Sequence, residues 1–509
     1  MMPRRLLQLL IAMTFVATFT ACSDDKEGAI VNPNYGNCYV DFVISVSNGD
    51  NRMRAATPAG GEDGDGREAG FVRENTITGI TVILYKDATG INSTANPTLD
   101  FVRYFPVTFD SRDPQGTTYN LHKEEAKYHT GLQPLGNHRL DLTATYHAIV
   151  IANAPEVART LIEGSSKLND VRDMTLSTIY VGNPTMSAAA CNHFVMSSEQ
   201  DNTINFGSVS VTDLNGNSHE EGEDMLYDLS SQPVLIERMA ARIDFWSKNS
   251  NGYKTSTENA AYTIPGYEYN VTGCSDKFVV TGIVPFNLTN GDATYGTEYL
   301  LKRLRTDISD AATTSYLANE TTTTYVIDPK TDDKVEASNP SLTSSLESVY
   351  DLINDASTLE NTTTNPYYHS IASMHGVEGA SLTIDGKENV AVCYPMENCL
   401  LPTSKLYHYA TGIAIIGYYY KNGTGTGTRM VYLGYLSHQG DAETYDINPN
   451  TIPLETTDAM GGTTAMKYGI VRNNIYRVSI ESISPLAGKL SLKVAVHDWR
   501  EVTHPQINI

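Results

Sequence analysis

The strongest regularity along this chain is a two-residue alternation of apolar and polar side chains that recurs from end to end. Successive side chains of a strand point to opposite faces, so each such run predicts a β-strand with one buried face. Near the carboxy terminus, Tyr476, Val478 and Ile480 alternate with Arg477, Ser479 and Glu481. A second run places Leu490, Leu492, Val494 and Val496 opposite Ser491, Lys493, Ala495 and His497. Pro485 and Gly488 punctuate the join between the two. The chain ends with Ile507 and Ile509 still apolar, and an apolar, strand-rich end is expected to need a sheet to join, its own or another molecule's. Residues 38–47 form an equally regular strand, with Val40, Phe42, Ile44 and Val46 on one face. At about 3.3 Å per residue, its length of roughly 30 Å is enough to cross a sandwich.

Further strands are expected over residues 77–85, 101–109, 140–152, 235–245, 261–269, 277–288, 381–384, 410–420 and 428–435. In the 235–245 strand, Arg238 and Arg242 flank apolar Met239, Ala241, Ile243 and Phe245. Pro155 followed by Val157, Leu161 and Ile162 predicts a short helix over 155–164. The polar stretch 247–260 is the expected domain boundary. Residues 297–367 are polar with some helical character. Gly423, Gly425 and Gly427 join two strands, as a hairpin tip does, whereas a phosphate-binding glycine loop leads into a helix.

Composition narrows the class. The 509 residues carry 36 Lys and Arg against 59 Asp and Glu, a net charge of −23, which repels phosphate backbones and argues against nucleic acid as a partner. Tyr (31) far outnumbers Phe (12); tyrosine suits strands and keeps a polar tip for a wet surface. Residues 1–21 have the form of an export signal, with Arg4 and Arg5 ahead of an apolar run from Leu6 to Phe19 that is short for a membrane span. The run ends in Phe19-Thr20-Ala21-Cys22, which resembles a bacterial lipoprotein box with Phe19 where leucine is usual. Cys22 is therefore the expected lipidation site and new amino terminus. The acidic cluster after it, Ser23-Asp24-Asp25-Lys26-Glu27, resembles a surface-export signal and makes 22–37 a tether. The remaining cysteines, Cys38, Cys191, Cys274, Cys393 and Cys399, are odd in number and lack CxxC spacing, so mostly buried free thiols are expected.

Catalytic patterns are missing: there is no HExxH, GxSxG, P-loop or paired CxxC, and the adjacent His497 and Asp498 would face opposite ways in a strand. Asp213, Asn215, Asn217 and Asp224 have part of a calcium-loop spacing, but Ser218 stands where that loop needs glycine, so a solvated acidic loop is expected. No enzyme activity, metal or cofactor is expected. Residues 48–67, ending in GGEDGDGRE, form a flexible exposed loop open to proteolysis, with Arg52, Arg54 and Arg67 in it.

Four stretches, in order and spacing, resemble the fimbrillins, the subunits of type V pili of gut and oral anaerobic bacteria. They are YHAIVIANAP from Tyr146, LIERMAARIDFW from Leu235, CYPMENCLLP from Cys393, and GIVRNNIYRVSIESIS from Gly469 followed by a strand and Asp498-Trp499. The resemblance implies a mostly β fold of two β-sandwich-like, transthyretin-like domains with a few short helices, here 55–250 and 251–509. It implies a structural subunit of a surface fimbria serving adhesion. Its partners would be other subunits (a homopolymer plus tip and anchor subunits), an arginine-specific protease, the outer membrane through the lipid, and a host surface or other bacteria. The protease would remove 38–54 by cutting between Arg54 and Ala55. Polymerisation would proceed by strand exchange, with a donor segment at about 490–509 presenting Leu490, Leu492, Val494 and Val496 to the pockets left by Val40, Phe42, Ile44 and Val46. The alternative is a monomeric surface lipoprotein that binds glycan or host protein, or a tip or anchor subunit of the same fimbria.

Overall fold

The computed structural model describes residues 38–46, 67–69, 71–86, 96–106, 120–122, 127–129, 133–134, 143–172, 174–176, 191–198, 202–218, 220, 224–229, 231–288, 299–300, 356–363, 365, 367–384, 386–399, 411–436, 469–484 and 489–500. The protein is mostly β with a few short helices. The strands that matter below are β1 (Cys38–Asp41), β2 (Val43–Val46), β3 (Arg67–Ala69), β4 (Gly79–Tyr85), β5 (Leu99–Pro106), β6 (Thr145–Ala152), β7 (Met196–Ser198), β8 (Met225–Asp228), β9 (Val234–Arg238) and β10 (Arg242–Trp246). They continue with β11 (Ser250–Lys254), β12 (Gly266–Asn270), β13 (Lys277–Phe286), β14 (Ser381–Ile384), β15 (Lys387–Cys393), β16 (Gly412–Tyr420), β17 (Thr428–Tyr435), β18 (Asn474–Ser484) and β19 (Lys489–Arg500). The helix expected at Pro155 is present as Pro155–Thr160, with proline in its first turn. Among the described residues no helix is long and apolar enough to cross a membrane.

The amino-terminal half is built on two sheets. One runs β5-β4-β6-β7-β9-β2 and continues through Lys127–His129 to Asn120–His122; the other runs Ser210–Thr212, β8, β1, Gln133–Pro134. Val40, Phe42, Ile44, Val82, Leu84, Val150, Tyr227 and Ile236 share the core of this half. The carboxy-terminal half has one sheet in the order β14-β15-β10-β18-β19-β3 and a second in the order β11-β12-β13-β16-β17. Phe245, Tyr267, Val280, Ile415, Tyr476, Val478 and Leu492 share its core. Leu492 packs onto Gly434 of β17, where a Cβ would collide with the leucine methyl.

One expected strand is two. Residues 235–245 break at Ala240, and β9 and β10 belong to different sheets. The backbone changes partners within three residues: Met239 N donates to Val195 O at 3.0 Å in the first half, Ala241 N to Pro395 O at 2.8 Å in the second, and Ala240 O accepts from Asn473 N at 2.8 Å. The chain thus passes between the halves at Met239–Ala241, upstream of the polar stretch expected to hold the boundary. Arg242–Trp246 lies between β15 and β18, strands of the carboxy-terminal half. β18 also departs from expectation: Arg477 and Ser479, expected on a solvated face, are buried. Arg477 lies over the Trp246 ring at 4.9 Å and sits opposite Asp244 in the β10–β18 register.

The seam between the halves is charged and dry. Glu74, in the turn Val72–Asn75, accepts from Arg242 Nη1 at 3.1 Å, from its own turn's Phe71 N at 2.6 Å, and from the Tyr394 hydroxyl. Arg242 makes a bidentate pair with Asp244, 2.9 Å on each arm, and Asp244 also accepts from Asn389 Nδ2 at 3.0 Å. Arg238 Nε donates to Glu74 O and its Nη1 to Asn473 Oδ1. Nearby, Arg472 pairs with Glu397 at 3.2 Å, both wholly buried. Burial works against the Arg242 charge, but Asp244 and Glu74 outweigh it and raise its pKa. Glu74→Ala leaves Arg242 with half its partners in a dry site, and should lower stability by about 3–5 kcal/mol in urea titrations.

His369, opposite Ile283 of β13, is buried, and its Nε2 has no hydrogen-bond partner among the described residues. Burial lowers its pKa to about 4. The unfolded chain takes up the proton near pH 6.5, so acidification through that value favours unfolding, and the loss levels off below pH 4. The effect should be on the order of 3 kcal/mol. Denaturant titrations of the parent and of His369→Gln should therefore differ by less favourable amounts for the parent as pH falls from 7 to 4.5.

Candidate functional site

Three apolar side chains at the amino-terminal end carry the site. Val40, Phe42 and Ile44 are buried in the first core, and the Phe42 ring packs against Phe105 and Phe101 at centroid separations of 5.4 and 6.4 Å. Residues 38–47, expected as one strand, are divided at Phe42 into β1 and β2, and the two pieces lie in different sheets. One period-two pattern serves both, because both sheets face the same core. β1 runs parallel to β8, with Val40 opposite Tyr227, and antiparallel to Gln133–Pro134. β2 runs parallel to β9, with Ile44 opposite Val234, and antiparallel to Lys127–His129. The segment is thus flanked on both edges in both sheets. Val46 belongs to β2 by backbone; its side chain is outside the described residues, as are Cys22, Arg54 and Ala55.

The carboxy-terminal candidate is β19. It is hairpin-paired to β18, with Tyr476 opposite Val496, Val478 opposite Val494, Ile480 opposite Leu492, and a bulge between Ile480 and Ser482. Leu490, Leu492 and Val494 are buried in the second core; only the backbone of Val496 is described. In this chain by itself the segment lies in its own sheet, a point the sequence left open. On its outer edge β19 pairs with β3 from Asp498 to Arg500, and no strand flanks Lys489–His497 there among the described residues. Residues 501–509 of the expected donor segment lie outside the described residues.

Asp213 spends its carboxylate on its own loop, accepting from Asn215 N at 2.8 Å, Asn217 N at 2.7 Å and Asn217 Nδ2 at 3.0 Å, and these bonds lower its pKa. Cys191 and Cys393 are buried free thiols and Cys274 an exposed one. Burial raises the Cys191 thiol to about 11, far from a reactive thiolate. Cys38 and Cys399 side chains are outside the described residues. Sequence reasoning did not find Glu74, Tyr394 or Asn473; the available signal was a pair of arginines inside an apolar strand run.

No family model matches the chain, and no curated protein matches it. Among solved structures it is similar to a candidate cell adhesion protein from Parabacteroides distasonis, at 12% identity over 91% of this chain and 98% of that one, with a TM-score of 0.40. It is similar to the tip fimbrial protein Mfa3 from Porphyromonas gingivalis, at 9% identity over 91% and 100%, with a TM-score of 0.37. A third is a candidate cell adhesion protein from Bacteroides eggerthii, at 11% identity over 92% and 98%, with a TM-score of 0.35.

Phe42→Ala should cost about 3–5 kcal/mol in the untrimmed protein. In protein lacking residues 1–54 the same core is already open, so the comparison of melts with and without residues 38–54 measures what the segment contributes.

Proposed function

We propose that this chain is a structural subunit of a surface fimbria, exported as a lipoprotein on Cys22, trimmed after Arg54 and polymerised by strand exchange. The observation that carries the reading is the amino-terminal segment itself: nine residues that complete both sheets of the first half, followed in sequence by Arg52 and Arg54. Its loss uncovers the pockets of Val40, Phe42 and Ile44, worth about 1.5–3 kcal/mol each and together comparable to the stability of a domain. It also leaves unpaired edges on β8 and β9. An open edge beside an empty apolar groove takes an extended strand from a neighbour, by backbone hydrogen bonds and alternate side chains.

Residues 71–75 are anchored independently of β1 and β2. Glu74 and Arg73 hold residues 71–75 to Arg242, Tyr394 and the Cys191 carbonyl. Trimming would therefore open the groove without releasing residues 71–75 from the seam. The donor we assign is the carboxy-terminal run, in which Leu490, Leu492 and Val494 repeat the spacing of Val40, Phe42 and Ile44. Since Val494 is buried in its own core, a charge there would damage the monomer as well as the fibre, and a reversible lock is the cleaner test.

Ser482 and Ser491 face each other across β18 and β19. A Ser482→Cys/Ser491→Cys disulfide should hold β19 in its hairpin. The expected result is normal trimming, with amino-terminal sequencing beginning at Ala55, and no fibres until reductant is added. Fibres of parental length under oxidising conditions would place the donor elsewhere. A mature fibre beginning at Cys22 would end the trimming part of the reading.

A further inference from the structure

At the far edge of the carboxy-terminal half, β11, β12 and the β14–β15 hairpin enclose an open cleft of about 510 Å³, within the roughly 300–1,000 Å³ range of small-molecule sites. Its floor is aromatic. The half-buried Tyr253 ring stacks on the exposed His375 imidazole, centroids 3.8 Å apart and planes within 12°. Tyr267 meets Tyr253 edge-on at 5.9 Å. One carboxylate sets this floor. Glu388 accepts from His375 Nδ1 and the Tyr267 hydroxyl, 2.5 Å each, from Ser381 Oγ at 2.7 Å and from Gly376 N at 3.0 Å. Burial alone would raise the Glu388 pKa, but these bonds outweigh it and keep the carboxyl ionised.

With Nδ1 engaged, the imidazole is fixed in orientation and its Nε2 remains available. The Tyr253 hydroxyl is likewise free of hydrogen bonds to described residues. Glu258 and Lys387 stand at the rim with opposite charges, and Glu388 is already satisfied by four donors. The cleft therefore offers a rigid aromatic platform ringed by groups that both donate and accept, with little net charge. A phosphate or sulfate would meet Glu258, and an ammonium would meet Lys387. A saccharide fits both demands: its C–H face packs on an aromatic ring, and its hydroxyls exchange donor and acceptor roles with the rim.

We propose that this cleft binds a neutral saccharide, stacked on Tyr253 and His375 and held at its hydroxyls by His375 Nε2, the Tyr253 hydroxyl, Glu258 and Lys387. The inference does not depend on polymerisation, because the cleft is formed within one chain. The full chain is tested on an array of immobilised neutral, sialylated and sulfated oligosaccharides. The oligosaccharide retained most strongly is then titrated in free form by calorimetry. The expected result is retention of a neutral class, with affinity reduced at least tenfold in Tyr253→Ala and in His375→Ala, while both variants melt and assemble like the parent. Should Tyr253→Ala fail to fold, the exposed His375→Ala carries the test. Retention of no neutral oligosaccharide, preference for sialylated or sulfated ones, or undiminished affinity in both variants would overturn the proposal. Fibres without saccharide binding, or binding without fibres, separate its failure from that of the assembly reading.

Discussion

The ion pairs buried in the seam are the constraint from which the rest of the structure follows. Glu74, Arg242, Asp244, Arg472 and Glu397 are almost wholly removed from water. Charges in such a place cost more in desolvation than their attraction readily returns, and removing one partner is far more damaging than never having had the pair. What they impose is geometry, because a guanidinium satisfied on fixed oxygens accepts one arrangement of the elements that carry them. Three of the stretches that resemble fimbrillins meet here. Arg238, Arg242 and Asp244 come from the first, Tyr394 and Glu397 from the second, and Arg472 and Asn473 from the third. Asn473 turns the backbone with a positive φ of 58°, a conformation asparagine tolerates, and lends its side chain to Arg238.

Strand existence was legible because burial on one face writes a period of two into the sequence. Residues 381–384 and 428–435 coincide with β14 and β17. The same pattern says nothing about which sheet receives a strand, so residues 38–47 and 235–245 each read as one strand and fold as two. The seam was illegible for a different reason. Arg242 and Glu74 are 168 residues apart, and Tyr394 and Glu74 are 320 apart, and no local periodicity encodes such a meeting. Arginines within an apolar run were its only trace, since a buried cation requires an anion from somewhere. The aromatic cleft left still less, because Tyr253, His375 and Glu388 each lie in a segment of ordinary composition.

Parallel pairing bears on the proposal that the amino-terminal segment is the one removed. β1 and β2 pair with strands near residues 225–238, so neither can dock until most of the first half has formed. Their docking adds contacts to a frame already closed by β4, β5, β6 and β9, and nothing in the seam relies on them. Among the described residues, besides β8 and β9 they pair only with the short strands Gln133–Pro134 and Lys127–His129, so the proposed trimming would free those short strands and two sheet edges while β4, β5, β6, β7 and β9 keep their ladders.

On the two proposals above, assembly and recognition would occupy opposite ends of one sheet. In the order β14-β15-β10-β18-β19-β3, Glu388 and the cleft belong to the β14–β15 end, and β19 lies next to the other edge. Between them stand β10 and β18, which carry Arg242, Asp244 and Arg477 and are pinned by the seam. A strand that leaves β18 for a neighbouring molecule removes Leu490, Leu492 and Val494 from the shared core but takes no hydrogen bond from Glu388, His375 or Tyr267. Two strands thus separate the two ends. If β19 is exchanged as proposed, the cleft keeps its hydrogen bonds, and each copy along a polymer would present the same site.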